Sequence, residues 1–503
     1  GGGAGGVACA YALKDKGYNV VLIEKLDMLG GTHIHGAAPK LLSSPITGTW
    51  LKDIVRDGYE QGYVVIGNNK EVGDGTTFEK LWRGSLYTSG ITASTWGTDI
   101  TMAYWWTSQR YYNDLKDEID IKLRTEFIES IFNVEGDKIS GVKVRNLDTG
   151  NTFEIYAEYF VDCTADGCLC RSGKTLGVDY FIGTDSKNLY NESAYPDGYI
   201  GEKYKINTVE GGYRITQDSY LPGDKKRVED RTKWKEFSDI TNEINGGAIN
   251  SPKEYHSTIS TSMGNSIDPK IFIDKGNDYA HSYAYYRTKA HFKKLNRVDV
   301  YAEQCKMLGI RESYRIKCDR MLTQTDCETK ATSLNLASNH TIALSSWWVD
   351  IHNDSALQNE INNSFINGIP YESLIPSAFK NVLVGSRCLG VSHIAQASFR
   401  LTKTMMSIGY ACGHALTQCL SNWYDDVRNV DISKLQSDIG ISAVMTEIET
   451  YFTTTGGVIP VTSVSLDKTT HTLKVGETVQ LNATITPSNA TNIPKGLWKS
   501  SSQ

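Results

Sequence analysis

At 503 residues the chain is long enough for two or three domains with a sizeable core. Its 52 Lys and Arg against 58 Asp and Glu leave a formal net charge of −6, and with no long basic stripe this argues against nucleic acid as a partner. No apolar run approaches the roughly 20 residues that span a bilayer, and the ten cysteines are scattered without a CxxC pair or zinc spacing, so most read as core thiols.

The chain opens Gly1-Gly2-Gly3-Ala4-Gly5-Gly6, continues through a small apolar stretch from Val7 to Leu13, and rises into Val20-Val21-Leu22-Ile23-Glu24. Gly1, Gly3 and Gly6 fit GxGxxG: one glycine for a tight turn, one for close approach of backbone to a pyrophosphate, one for packing of helix on strand. The helix that follows aims unpaired N–H groups and the positive end of its dipole at phosphates. Glu24 stands 23 positions after Gly1, near the spacing expected of an acid that holds a ribose hydroxyl. The sequence lacks an initiator Met and the strand that should lead into the glycine turn, so it reads as a fragment cut at its N-terminus, with any signal peptide outside it.

Gly30-Gly31-Thr32 is a second glycine turn. His33 and His35, two apart, would share one face of an extended segment, where a solvated or cofactor-lining role suits them better than a metal site. Cys168 and Cys170 lack a third and fourth ligand, and no metal is expected. Helical patterns cover 53–63 and 104–118, and strands are predicted over 119–123 and 126–131. Turns at Gly136-Asp137 and Asp148-Thr149-Gly150 link strands from Ile139 to Arg145 and from Thr152 to Glu158. Tyr159 to Thr164 is a buried strand ending at the loop Ala165-Asp166-Gly167. From Asp185 to Tyr371 the βα rhythm breaks, with a helix expected near Arg297 to Leu308. Asn381 to Gly385 returns as an apolar strand, and a helix from Leu401 to Leu420 carries Ser407, Gly409, Ala411, Gly413 and Ala415, small residues that admit another backbone. Past the linker Thr453 to Gly457, short alternating strands at Val464–Leu466, Thr472–Val475 and Thr478–Ile485, with a turn at Gly476-Glu477, suggest about half of a β-sandwich.

The glycine opening, Gly30-Gly31-Thr32, the strand and loop from Val161 to Gly167, Gly309 to Ser313, Trp348 to His352, Ile369 to Tyr371 and Asn381 through Gly413 resemble, in order and over roughly residues 1–450, the FAD-dependent oxidoreductase family that groups with fumarate-reductase-type flavoproteins. The tail, with Val464 to Lys468, Leu473 to Glu477 and Thr486 to Ala490, is similar to the bacterial group 2 Ig-like repeat. The resemblance implies an α/β fold: a Rossmann-like FAD-binding domain with a β-meander over 1–184 and 372–450, an inserted α+β substrate domain over 185–371, a linker over 451–460, and an incomplete C-terminal β-sandwich over 461–503.

Carried over by residue, the resemblance places Gly1, Gly3, Gly6 and Glu24 on the ADP half of FAD, Gly31 and Thr32 by the pyrophosphate, the backbone of Ile128 at the adenine, and Thr164, Asp166 and Gly167 on a second nucleotide-side loop. The family usually has Ala-Thr-Gly there; this chain has Cys163-Thr164-Ala165. Near the isoalloxazine it implies Gly385, Arg387, Ser392, His393, Ser398 and Arg400. Reduction leaves negative charge near flavin N1 and O2, which a helix N-terminus and guanidinium or imidazole groups would stabilise. His393, Arg315, His352 and Asp350, with Arg311, are the candidates for catalysis and for orienting a polar substrate, against the plainer reading of a structural ion-pair network. Aromatic pairs such as Trp347-Trp348 read as core or interface. In the fumarate-reductase type a histidine at the place of His33 can be bonded to the flavin; the family matched here does not generally require it.

The expected function is transfer of a hydride between FAD and a small polar organic substrate, a carbohydrate or organic acid, with an electron acceptor that the sequence does not name. The competing readings are a cell-surface binding or adhesion protein on a non-catalytic flavin-type scaffold, reaching surface or glycan through the Ig-like tail, and an NAD site in place of FAD. The tail makes an extracellular or cell-envelope location the expectation.

Overall fold

The computed structural model describes residues 1–35, 40–41, 46–61, 63–66, 78, 100–217, 257–259, 266–295, 300–328, 340–352, 357, 360–361, 367–446, 463–466 and 483–486. It has a mixed α/β fold. Directly after the glycine turn, helix Ala4–Leu13 is buried from Gly5 onward. A helix apolar on every side belongs in a core, and its alanines and glycines let neighbours press close. It packs alongside the late helix Thr402–Asn422: a Cβ on Gly409 would lie 2.0 Å from the Gly5 carbonyl oxygen, and one on Gly413 would lie 2.6 Å from Ala12 Cβ and 2.7 Å from the Cys9 carbonyl oxygen. The run of small residues read from the sequence therefore has its partner. Both contacts advance along both chains, so the helices are parallel.

Strand Val21–Ile23 pairs in parallel with Asp120–Lys122, and Phe160–Asp162 pairs in parallel with Val382–Val384. Between them in sequence, Thr125–Phe132, Ile139–Asn146 and Thr152–Tyr156 form the antiparallel meander, with Gly136 (φ 74°) and Gly150 (φ 76°) taking the left-handed conformations that its turns require. In the region expected as an insert, Val209–Gln217 pairs with Ser257–Ile259, Ser266–Ile267 and Val300–Ile310, all antiparallel, and helices Pro269–Lys275 and Asn277–Leu295 belong to the same region.

Two expectations fail. Where the helix over 297–308 was expected, the described residues are not helical: Val300–Ile310 is a strand laid along Val209–Gln217. Its Ala, Glu, Gln, Lys and Met favour helix, but ladder pairing with a distant strand overrides that weak preference. His33 and His35 lie on the short helix Thr32–His35, so a spacing of two points them apart rather than to one face. In the tail, Ser463–Leu466 and Ala483–Thr486 form one antiparallel ladder. The expected strand Thr472–Val475, the Gly476-Glu477 turn and the linker fall outside the described residues, and two strands do not establish a β-sandwich.

Candidate active site

One cleft of about 1760 Å³ is lined by Gly1, Gly3, Gly6, Glu24, Gly31 and Thr32, and also by Arg311, Asp350, His352, Arg387, Arg400 and Thr402. The edges of both parallel strand pairs, at Val21 to Ile23 and Phe160 to Asp162, also line it. Such a volume exceeds the roughly 300–1,000 Å³ of ordinary ligand pockets and accommodates a dinucleotide with room beside it.

The two glycine turns meet. Gly3 and Gly30 form a parallel bridge, Gly30 N–H donates to the Gly2 carbonyl at 2.8 Å, and Gly31, at φ 58°, passes so close that a Cβ on it would stand 2.8 Å from Gly3 Cα. Glu24 is buried and receives the Gly2 N–H at 2.6 Å and the Leu26 N–H at 2.8 Å, which ties the end of its strand to the first turn. The glycines differ in what they serve. A Cβ on Gly1 would lie 2.3 Å from the Cys163 carbonyl oxygen and one on Gly6 would lie 1.9 Å from the Gly1 carbonyl oxygen, so packing alone requires both. A Cβ on Gly3 would meet nothing nearer than Gly31 Cα at 3.9 Å. Helix Ala4–Leu13 starts there without a side-chain cap, leaving N–H groups for an anion. A glycine that packing does not need, on a cleft-lining turn at an uncapped helix start, fits a pyrophosphate pressed against the backbone.

The second loop is rigid. Asp162 receives the Thr164 N–H at 3.0 Å, the Thr164 hydroxyl at 2.6 Å and, on its other oxygen, the Cys170 N–H at 3.0 Å. Ala165 stands at φ 65°, a left-handed conformation natural to the family's glycine and strained in alanine. Asp166 receives the Arg387 guanidinium at 2.7 Å and the Ser313 hydroxyl at 2.6 Å, so Arg387 carries a partner and still lines the cleft.

Also on the lining, Arg400 Nη2 donates to Asp350 Oδ2 at 3.1 Å, and His352 Nε2 lies 3.0 Å from the same oxygen. Burial works against a charge on Asp350, but the His352 hydrogen bond, the Arg400 and His352 charges and then Arg311 outweigh it and hold its carboxyl down at about 2. Helix Thr402–Asn422 starts beside them at Leu401, also without a side-chain cap. The pairing of Gly5 with Gly409 sets this start about 9 Å behind that of Ala4–Leu13 along the common direction, at 1.5 Å per residue. The positive ends of two parallel helices thus stand in sequence along one cleft.

Not every expected residue lines it. Arg315 is fully buried: its guanidinium donates to Asp185 at 2.8 and 3.0 Å, to the Gly183 carbonyl at 2.5 Å and to the Val391 carbonyl at 3.2 Å. His393 is also buried, with Nδ1 2.8 Å from Glu312 Oε2 and its backbone N–H on Asp185 at 2.7 Å. Ser392 caps helix His393–Phe399 and donates to Glu192. Ser398 donates to the Trp347 carbonyl at 2.6 Å, Gly385 packs on Gly5, and Ile128 is a partly exposed meander residue whose neighbour Phe127 lines the cleft instead. His33 lines it beside Thr32. Sequence reasoning missed Asn277, Asp278, His281 and Lys306, which line the cleft, Asp278 paired with Lys25 and Lys306 with Asp27, and the buried acids Asp185, Glu192 and Glu312. No spacing marks the first group. Glu312 stands within Gly309 to Ser313, but with Arg311 and Ser313 as its neighbours nothing local marks it as buried.

The family model of FAD dependent oxidoreductases matches residues 1–439, and that of the bacterial Ig-like domain (group 2) matches 460–503. The chain belongs to the FAD-dependent oxidoreductase family; it is a flavoenzyme and its cofactor is FAD. Among solved structures it is similar to Thermovibrio ammonificans THI4 (16% identity, 34% of this chain and 56% of that one, TM-score 0.23), to Pseudomonas aeruginosa PqsL in complex with 2-aminobenzoylacetate (12%, 90% and 92%, 0.30) and to the myxobacterial chondrochloren halogenase CndH (11%, 87% and 76%, 0.32). Thus the chain spans little more than half the length of THI4. Curated proteins gave no match.

Proposed function

We propose that the chain oxidises or reduces a small polar organic substrate, a carbohydrate or an organic acid, in the part of the cleft bounded by Arg311, Asp350, His352 and Arg400. The observation that carries this reading is a His–Asp–Arg set lining the same cleft as an uncapped helix start and the glycine turns. Bound FAD supplies hydride transfer. The residues supply the rest. Asp350, held ionised, orients His352 through Nε2 and leaves the other ring nitrogen to exchange a proton with substrate. Arg311 and Arg387, on the same cleft, orient polar substrate groups. Gly1, Gly3, Gly6, Glu24, Gly31, Thr32, Thr164 and Asp166 hold the ADP side of the cofactor. Arg315 and His393 support the wall from behind.

The division into FAD-binding parts 1–184 and 372–450 and an insert 185–371 is supported by the antiparallel sheet that 209–310 contributes. An extracellular or cell-envelope location is supported by the Ig-like tail, and fractionation of the producing cells tests it. Anaerobic reduction of the holoenzyme by a panel of sugars, hydroxy acids and unsaturated acids tests the reaction, read as bleaching of the flavin band. His352→Gln should slow the step by about 10²- to 10⁴-fold with the flavin spectrum unchanged, the usual range for a general acid or base. An unchanged rate removes His352 from the reaction.

A further inference from the structure

We propose that Asn207 is a positioning residue for the Asp350–His352 pair, its side-chain amide clamping the turn that carries both groups while its backbone fastens that turn to the buried Glu312–His393 pair. The inference rests on the reading of His352 as the proton-handling group.

Asn207 is 1% exposed, and a buried amide is tolerated only where its donors and acceptors are used. Its Nδ2 donates to the Asp350 carbonyl at 2.9 Å, and its Oδ1 accepts the His352 N–H at 3.2 Å together with the Thr208 N–H at 2.9 Å. Donor and acceptor of one side chain thus grip both ends of the three-residue turn Asp350-Ile351-His352. The Asn207 N–H donates to Glu312 Oε2 at 2.6 Å, the carboxylate that also holds His393 Nδ1. Arg400 Nη2 reaches the Asp350 carbonyl from another element at 3.2 Å, so the turn is anchored twice. With both backbone ends fixed, the Asp350 carboxylate and the His352 ring stand 3.0 Å apart. An ionised carboxylate only accepts hydrogen bonds, so neutral His352 is held with its proton on Nε2. Only Asn offers this clamp at this length: Asp lacks the donor, and an apolar residue lacks both groups.

The test is nitrogen NMR of the histidine-labelled, FAD-loaded full chain at pH 8, with the His352 signals identified by their loss in His352→Gln. The wild type should show a single Nε2–H tautomer at His352. In Asn207→Ala the two ring-nitrogen shifts should converge as tautomers mix, while the flavin spectrum stays as in the wild type. Should that variant not fold, Asn207→Asp keeps the shape and the acceptor, loses the donor, and should mix the tautomers as well. A wild-type pattern in either folded variant, or mixed tautomers in the wild type itself, overturns the proposal. His352→Gln without effect on substrate-driven bleaching would sink the catalytic reading alone, because the NMR result reports the clamp whatever His352 does.

Discussion

A glycine can be kept by its neighbours or by a ligand, and the opening turn contains both kinds. Gly1 and Gly6 have backbone oxygens where a Cβ would go, whereas Gly3 has an open cleft. We therefore expect Gly3→Ala to leave the stability of the FAD-free protein within roughly 0.5 kcal/mol, as for an uncrowded surface change, and to weaken FAD binding at least tenfold. Gly6→Ala should instead destabilise the FAD-free protein by at least the 1–3 kcal/mol typical of overpacking. Urea unfolding and flavin titration of the same samples separate the two effects. At this scale the ADP side of the site was legible, because turn glycines and an acid near a fixed spacing answer to local backbone demands. Arg315 and His393 were not: motif position showed that they matter, but nothing local shows whether a charge faces a cleft or a buried counter-charge. Asp185, which holds Arg315, comes from 130 positions away.

Elements were legible where their reasons are local. The late helix announced a partner through its small residues, and Gly409 against Gly5 is that contact. The meander followed from its turns and alternation. Val300–Ile310 was misread because its strand character comes from Val209–Gln217, which lies far away in sequence and is buried against it at Val209 and Leu308. If the helix pair sets the spacing of the two positive helix ends along the cleft, a wedge at its crossing should damage stability and cofactor together. Gly409→Ala places a Cβ 2.0 Å from the Gly5 carbonyl oxygen, with no flexible side chain to yield. It should cost about 3 kcal/mol, the upper end of overpacking, and lower FAD affinity. Thermal unfolding with and without FAD reads both, and wild-type stability in this variant would show that the pair does not hold the cleft.

Across the whole molecule, a buried charge cluster joins segments that the sequence order keeps apart. Arg315, Asp185 and Glu312 are all but fully buried, Asp185 and Glu312 both contact His393, and Glu192 is joined to Ser392 and to the Gln324 N–H at 2.9 Å. The acids outnumber the fixed cation, which makes the cluster a source of pH-dependent stability rather than a plain ion pair. Burial raises the Glu192 carboxyl to about 7, Asp185 adding to the effect and the Ser392 hydrogen bond opposing it. Between the ordinary value of 4.5 and about 7, the folded chain keeps a proton on Glu192 that the unfolded chain has released. Stability must then fall as pH rises through that window, by at most on the order of 3 kcal/mol. Glu192→Gln keeps the shape, accepts the same two hydrogen bonds through its carbonyl oxygen and cannot ionise. Denaturant unfolding at pH 5 and pH 8 should therefore show the variant close to wild type at the lower pH and more stable at the higher one. An identical decline in both proteins would mean that Glu192 is ionised in the folded state and that the cluster carries its negative charge elsewhere.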